Sequence, residues 1–244
     1  MRLTVLGCYG PYPPAGKACS GYLLQAEGCT LLLDCGNGVL SRLQGHFPFN
    51  RLAAVFLSHL HADHISDLFI MRYGLEIAFG KGLRSEPLPL FAPAEPAAEF
   101  ARLPYKNAYR VEPLGEKDEL RIGPFKIRTA PGIHAVPSLA LRVECSGKKL
   151  AYSADTEYCP ELVELAEGVD FFLCEANYRE EDIRAGLPNH LSAAQAAGIA
   201  RSASVGRLVL THHHPEREPE GAIREAERVF PGTETARENE IYII

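Results

Sequence analysis

The densest concentration of reactive side chains in this sequence is Ser58-His59-Leu60-His61-Ala62-Asp63-His64. His59, His61 and His64 supply imidazoles and Asp63 an interleaved carboxylate, the ligand types that divalent zinc, manganese or iron accept. Histidines two apart cannot share a helix face. On a tight loop their rings can converge on one cation while the next Asp-His pair turns toward a second. A merely histidine-rich surface loop is the plain alternative. The clustering, with three of the chain's nine histidines in this short run, argues against it. The stretch is read as a metal site.

Such a loop needs a rigid element behind it. The apolar run Ala53-Ala54-Val55-Phe56-Leu57 reads as a buried strand, which puts the histidines at its C-terminal end. The same plan recurs along the chain. Phe125 to Thr129 leads to the loop Pro131-Gly132-Ile133-His134, and Lys149 to Ser153 delivers Asp155. Phe171 to Cys174 delivers Glu175, and Arg207 to Thr211 delivers His212-His213-His214.

Around these, Arg2 to Leu6 reads as a first strand. Its loop, Gly7 to Pro14, makes no dinucleotide fingerprint. Tyr22 to Gln25 and Thr30 to Asp34 form an expected hairpin, and Asp34-Cys35-Gly36-Asn37-Gly38 is expected to cap a helix starting near Val39. Pro87 to Phe91 and Glu240 to Ile244 read as strands. Leu120 to Ile122 should pair with Phe125 to Thr129, and Leu139 to Val143 with Lys149 to Ser153. Helices are expected over Ser66 to Phe79, Ala94 to Leu103, Ser192 to Ser202 and Glu216 to Phe230. Strands joined by short turns argue against an all-parallel sheet.

His59-x-His61-x-Asp63-His64 behind an apolar strand resembles the signature of the metallo-β-lactamase superfamily of metal-dependent hydrolases, and the resemblance covers almost the whole chain. It implies an α/β fold, the αββα four-layer sandwich of two mixed β-sheets flanked by helices, as a single domain over residues 1–244. It further implies that His59, His61 and His134 hold one divalent ion, Asp63, His64 and His212 a second, and that Asp155 bridges them. Zinc is the first choice, with manganese or iron also suited. A bridging carboxylate lets two dications sit about 3.5–4 Å apart and acidifies the water between them into hydroxide, which Asp63 would also orient. His212 matches the family position; whether His213 or His214 joins the site stays open. In the superfamily the Asp matching Asp34 is a buried acceptor that steadies the metal loop, and a simple helix cap is the alternative.

Within that superfamily, Cys174-Glu175-Ala176-Asn177, the stretch Asn189-His190-Leu191-Ser192-Ala193 and Leu208-Val209-Leu210-Thr211-His212 resemble the C-terminal half of ribonuclease Z and its phosphodiesterase relatives. Val136-Pro137-Ser138-Leu139 does so too. The resemblance implies that His190 lies beside the scissile phosphate and that Glu175 interacts with it, joining Asp63 as catalytic residues. The loop Lys17-Ala18-Cys19-Ser20-Gly21 is similar to one beside the substrate in that group. There Lys17 could meet a phosphate or stay solvated. Arg102, Tyr105, Lys106, Tyr109 and Arg110 could form a nucleotide platform, but an ordinary charged surface is the favoured reading. Ribonuclease Z grips precursor tRNA with an arm that, in bacterial members resembling this chain, is inserted between the positions of His134 and Asp155. Here that interval has room only for two strands and a turn.

The totals set outer bounds. The chain has 244 residues, 46% of them hydrophobic, and a net charge of −6, which disfavours a nucleic-acid-coating role. No apolar run approaches the ~20 residues of a membrane span, and the N-terminus does not read as a signal peptide. Seven scattered cysteines without C-x-x-C fit reduced thiols and a cytoplasmic setting. The expected activity is that of a dinuclear metal-dependent phosphodiesterase acting on small or nucleotide phosphodiesters. No membrane partner and no stable tRNA binding are expected, and a homodimer is left open. Thioester, lactone or β-lactam hydrolysis and ribonuclease Z-type tRNA 3′ processing are the alternatives. A di-iron oxidoreductase is disfavoured because such relatives carry Glu at the position of His61. A non-catalytic binding protein has no use for Asp63.

Overall fold

The computed structural model describes all residues, 1–244. Runs of apolar residues with β-branched members become β1 (Arg2–Gly7), β2 (Gly21–Ala26), β3 (Cys29–Leu33), β4 (Ala54–Phe56), β5 (Leu88–Ala92) and β6 (Tyr109–Pro113). They continue as β7 (Glu119–Ile122), β8 (Phe125–Gly132), β9 (Ser138–Cys145), β10 (Lys148–Tyr152), β11 (Phe171–Glu175), β12 (Leu208–Thr211), β13 (Glu234–Thr235) and β14 (Ile241–Ile243). Two seven-stranded sheets result, in the orders β14-β1-β2-β3-β4-β5-β6 and β13-β12-β11-β10-β9-β8-β7. Each is mixed. Hairpin-linked strands pair antiparallel, whereas β3 to β6 and β10 to β13 run parallel.

Parallel neighbours need crossovers, and helices supply them. These are α1 (Val39–His46), α2 (Ala62–Ile65), α3 (Leu68–Gly80) and α4 (Ala97–Phe100) on the first sheet. On the second lie α5 (Pro160–Leu165), α6 (Glu180–Arg184), α7 (Ala193–Ser202) and α8 (Pro219–Glu227). Strand alternation sorts the side chains into layers. Leu31, Leu33 and Phe56 meet Leu141, Tyr152 and Leu173 between the sheets. Leu32, Val55 and Leu57 pack outward under Val39, Leu43, Met71 and Leu75. Phe172, Cys174, Leu208 and Leu210 pack outward under the alanine face of α7. Both faces of every central strand are thus buried, and the fold is the expected αββα sandwich. No helix is long and apolar enough to cross a membrane.

Several boundaries depart from expectation. The helix expected over Ala94 to Leu103 shrinks to Ala97–Phe100, because a residue before proline avoids helical backbone and Glu95 precedes Pro96. Pro219 likewise sets the start of α8. The segment Asp34 to Gly38 does lead into a helix at Val39, but the Asp34 side chain does not cap it. Gly38 occupies the cap position with a left-handed backbone, and the Leu40 N–H donates instead to Asp67 at 2.8 Å. Tyr109 belongs to β6, buried with its hydroxyl donating to the Leu68 carbonyl at 2.8 Å. Arg102 and Arg110 pair with Glu99 and Glu112 at the surface.

Leu173 sits fully buried on β11, mid-sheet and mid-core. Leu173→Ala is expected to cost about 2–5 kcal/mol, the range for a buried leucine truncation. Urea unfolding measures it, and a loss under ~1 kcal/mol would show that this inter-sheet layer repacks freely.

Candidate metal centre

Parallel strands of both sheets end at one rim. Asp34 follows β3 and the His59 loop follows β4, while Asp155, Glu175 and His212 come at the ends of β10, β11 and β12. β8 runs in the direction of β10, so the turn that follows it brings His134 to the same rim. The backbone at Asp34, Ala154 and His212 takes positive φ (56, 55 and 54°), which turns the chain sharply as each strand ends. Such non-glycine conformations cost about 1–3 kcal/mol and persist where the surroundings impose them.

The site residues converge in two groups. His59, His61 and His134 form one, and Asp63, His64, Asp155 and His212 the other, with ligand atoms in each within 4.8 Å of one another. The Asp155 carboxylate lies between them. Its Oδ2 is 3.7 Å from His59 Nε2, 3.4 Å from His64 Nε2 and 3.1 Å from His212 Nε2. Asp63 Oδ2 stands 3.6 Å from His64 Nε2, and His134 Nε2 is 3.0 Å from His61 Nδ1. Ligands of one tetrahedral zinc, bonded at about 2.0–2.1 Å, sit about 3.3 Å from each other.

The donor set also fits a cation by what it leaves unsatisfied. His59 Nε2, His64 Nε2, His212 Nε2 and Asp155 Oδ1 are all buried without a hydrogen-bond partner. Buried polar atoms are rarely left so, and four among the two ligand groups are what bound cations would satisfy. Burial, helped by neighbouring imidazoles, holds His59 well below the usual histidine pKa. Burial likewise holds His212 low, against the pull of Asp155. Neutral imidazoles are the form that binds metal. Burial opposes charge on His64 too, but Asp155, Asp34 and Asp63 more than offset it and draw its pKa up. The field at this spot favours positive charge. No cysteine joins the cluster. Burial raises the nearby Cys19 thiol to about 12.

A supporting layer fixes which ring nitrogen faces inward. Asp34 is fully buried and accepts from the Ser58 N–H at 2.7 Å, the Ser58 hydroxyl at 2.8 Å, the Tyr152 hydroxyl at 2.7 Å and His64 Nδ1 at 2.8 Å. The Ser58 hydroxyl in turn lies 3.1 Å from His59 Nδ1. Ser20 Oγ meets His212 Nδ1 at 3.1 Å, and the Asn189 carbonyl accepts from His134 Nδ1 at 2.9 Å. With one nitrogen of these rings engaged, the other is aimed at the cluster. Asn177 clamps the rim by donating to the carbonyls of Gly10 and His212 at 2.9 and 3.0 Å. Gly10 itself has no room for a side chain, since a Cβ there would fall 1.9 Å from the His212 ring. Of these supports, Ser58 and Asn177 lie in the stretches the sequence singled out but carried no assigned role there, and Tyr152 and Gly10 had no signal beyond their position next to strand ends.

Beside this cluster, His190 Nδ1 lies 3.0 Å from Glu175 Oε1. Glu175 is buried and also accepts from the Thr156 N–H at 2.7 Å. The His190 ring stacks on His212 at 5.4 Å and meets His134 edge-on at 5.3 Å. Burial disfavours its charge, yet Glu175 outweighs that and lifts His190 to about 9. His213 turns away, its Nε2 3.2 Å from the Ala236 carbonyl, and His214 lies outside both groups. Lys17 pairs with Glu238 at 3.4 Å.

The sequence matches the model of the β-lactamase superfamily domain over residues 30–213. It is also 34% identical to a probable metallo-hydrolase, YhfI, of Bacillus subtilis, across 95% of both chains. The chain belongs to the β-lactamase superfamily. The crystal structure of B. subtilis YhfI, described as a metallo-β-lactamase fold protein, superposes with a TM-score of 0.92 at 32% identity, covering 99% of this chain and 98% of that one. Ribonuclease Z of Mycolicibacterium gilvum is 31% identical over 90% of this chain and 86% of its own. With membership in this superfamily and a His/Asp cluster suited to divalent metal, the chain is a metal-dependent hydrolase with ribonuclease Z-like relatives.

Asp34 Oδ2 serves three donors at once, and an amide nitrogen in its place could accept from none of them. Asp34→Asn should therefore lower zinc affinity roughly 10–100-fold, the usual scale for losing such a partner. Chelator competition measures it. Unchanged affinity would separate Asp34 from the metal loop.

Proposed function

We propose that this single-domain chain is a phosphodiesterase that uses two divalent cations, zinc foremost, on small or nucleotide phosphodiesters. One ion would be held by His59, His61 and His134 and the other by Asp63, His64 and His212, with Asp155 shared. The observation that carries the reading is the Glu175–His190 pair set directly against both ligand groups. When bound, cations at these groups supply a polarised phosphoryl oxygen and water acidified enough to attack near neutral pH.

The rest falls to side chains. Asp63, at the start of α2, reaches the cluster from the less buried side and can accept a hydrogen bond from attacking water. His190 keeps Nδ1 on Glu175, which leaves Nε2–H to donate to a phosphoryl oxygen or to protonate the departing alkoxide. Solvent then returns the proton. Thioester and β-lactam hydrolysis have less need of such a pair, which is why the phosphodiester reading is preferred.

The ribonuclease Z relatives favour RNA as a second substrate class. Against it stands the interval from His134 to Asp155, filled by β9, a turn at Ser146-Gly147 with positive φ at both residues, and β10. That tight hairpin leaves no projecting arm to grip tRNA, and a net charge of −6 offers little long-range attraction. Seven free cysteines support a cytoplasmic setting. An apolar stripe on α3, Ile70, Tyr73 and Ile77, supports a second copy of the chain as partner.

Three outcomes test the proposal. Elemental analysis of gently purified or reconstituted protein should find two divalent metals per chain; well under one would sink it. His190→Ala should lower kcat on phosphodiesters by roughly 10²-fold or more with metal content unchanged, whereas metal loss would make His190 a ligand. At about physiological salt, aryl or cyclic nucleotide diesters should be cleaved and precursor tRNA barely processed. Efficient, correctly placed tRNA 3′ cleavage would overturn the assignment.

A further inference from the structure

His134 and His190 come from loops far apart in sequence, and the segment leading to His190 lies at the surface. Residues Arg184 to Pro188 are exposed, and α6 before them is only five residues long. At its near end the segment is anchored by the Arg217–Asp182 ion pair. At its far end, the backbone of Asn189 carries both ties. Its carbonyl accepts from His134 Nδ1 at 2.9 Å, and its N–H donates to Glu157 Oε1 at 2.9 Å.

Glu157 is bound in turn to the loop of His134, since its own N–H donates to the Ile133 carbonyl at 2.8 Å. The Ile133 N–H donates to Thr156 Oγ1 at 2.9 Å, and the Thr156 N–H to Glu175 at 2.7 Å. Glu175 holds His190, which closes the circuit. Asn189 sits at φ 81°, a left-handed conformation that needs outside support in a residue other than glycine. Within this circuit the Glu157 carboxylate is the side chain that pins the Asn189 N–H.

We propose that Glu157 is a positioning residue that couples the metal grip of His134 to the placement of His190. By fixing Asn189 it keeps that residue's carbonyl under His134 Nδ1, so the ring presents Nε2 to the cation. It also sets the start of the next residue, His190, over the centre. Binding of a cation by His134 should therefore order the exposed segment, and loss of Glu157 should weaken both together. The inference rests on His134 being a metal ligand, but not on the substrate being a phosphodiester.

The test uses zinc alone as ligand and three variants of the full chain. Glu157→Met keeps side-chain length but has no acceptor, Glu157→Ala removes the side chain, and Glu157→Gln retains a carbonyl oxygen for the Asn189 N–H. Chelator competition should show zinc held about tenfold more weakly at one site in the Met and Ala variants, and within about threefold of the parent in the Gln variant. Hydrogen exchange should slow across residues 185–191 on zinc binding in the parent and the Gln variant, but not in the other two. A purely structural role would change zinc-free stability without altering this zinc-dependent protection. Parent-like zinc affinity and protection in both Met and Ala variants would overturn the proposal. So would a Gln variant as impaired as Met, because the effect would then lie in charge rather than in the hydrogen bond. A parent that binds zinc but cleaves no diester would overturn only the phosphodiesterase assignment.

Discussion

One buried carboxylate links the two halves of this molecule. Asp34 ends β3 of the first sheet and accepts from Tyr152 at the end of β10 in the second. The same carboxylate holds Ser58 and His64, and so shapes the loop from which most of the proposed ligands project. An ionised group fully enclosed in protein is costly unless several donors surround it. Here four hydrogen bonds do so, and none comes from Lys or Arg. The carboxylates of Asp34, Asp63 and Asp155 gather around the His64 ring, and a cation seated among them would offset their charge. A site of this kind is built to favour a cation.

The geometry follows from strand direction. Parallel strands in each sheet, with β8 oriented as β10 is, bring their C-terminal ends to one rim. Open α/β sheets place ligands outside such ends because the chain must leave the sheet there, freeing side chains from packing. What differs here is that two sheets contribute at once. His59 and His64 come from the first and His134, Asp155 and His212 from the second, so the centre lies across the sandwich rather than on either sheet. Correct packing of the inter-sheet core is therefore a condition for assembling the cluster.

What could be read from the sequence divides along the same line. Most strands and the polar residues that close them were legible because apolar runs ending in His, Asp or Glu are local patterns, whereas the two-sheet sandwich was what the family resemblance implied. The family resemblance then grouped residues that spacing alone leaves apart. The comparisons establish the superfamily and the fold, and the structure brings the two expected ligand groups together. The supporting residues were hidden. Ser20, Asn177 and Glu157 act through hydrogen bonds to positions 192, 167 and 32 residues distant, for which composition and periodicity carry no mark. Asp34 had two local readings, and only the fold shows that Asp67 answers the helix N–H that Asp34 does not. β6 was missed because alternating Arg110 and Glu112 suit an edge strand as well as a charged loop.

Strand ends and the exposed segment divide the work of such a centre. Most of the cluster sits at strand ends, buried and held by a layer of hydrogen bonds. His190 instead lies at the margin of an exposed stretch, held by Glu175. A loop of that kind tolerates change at little cost to the core. The residues that bind at the margin are thus held separately from the residues that form the cluster. The requirement that remains is a tether between margin and centre. Asn189 provides it through its backbone, whose N–H donates to Glu157 and whose carbonyl accepts from His134.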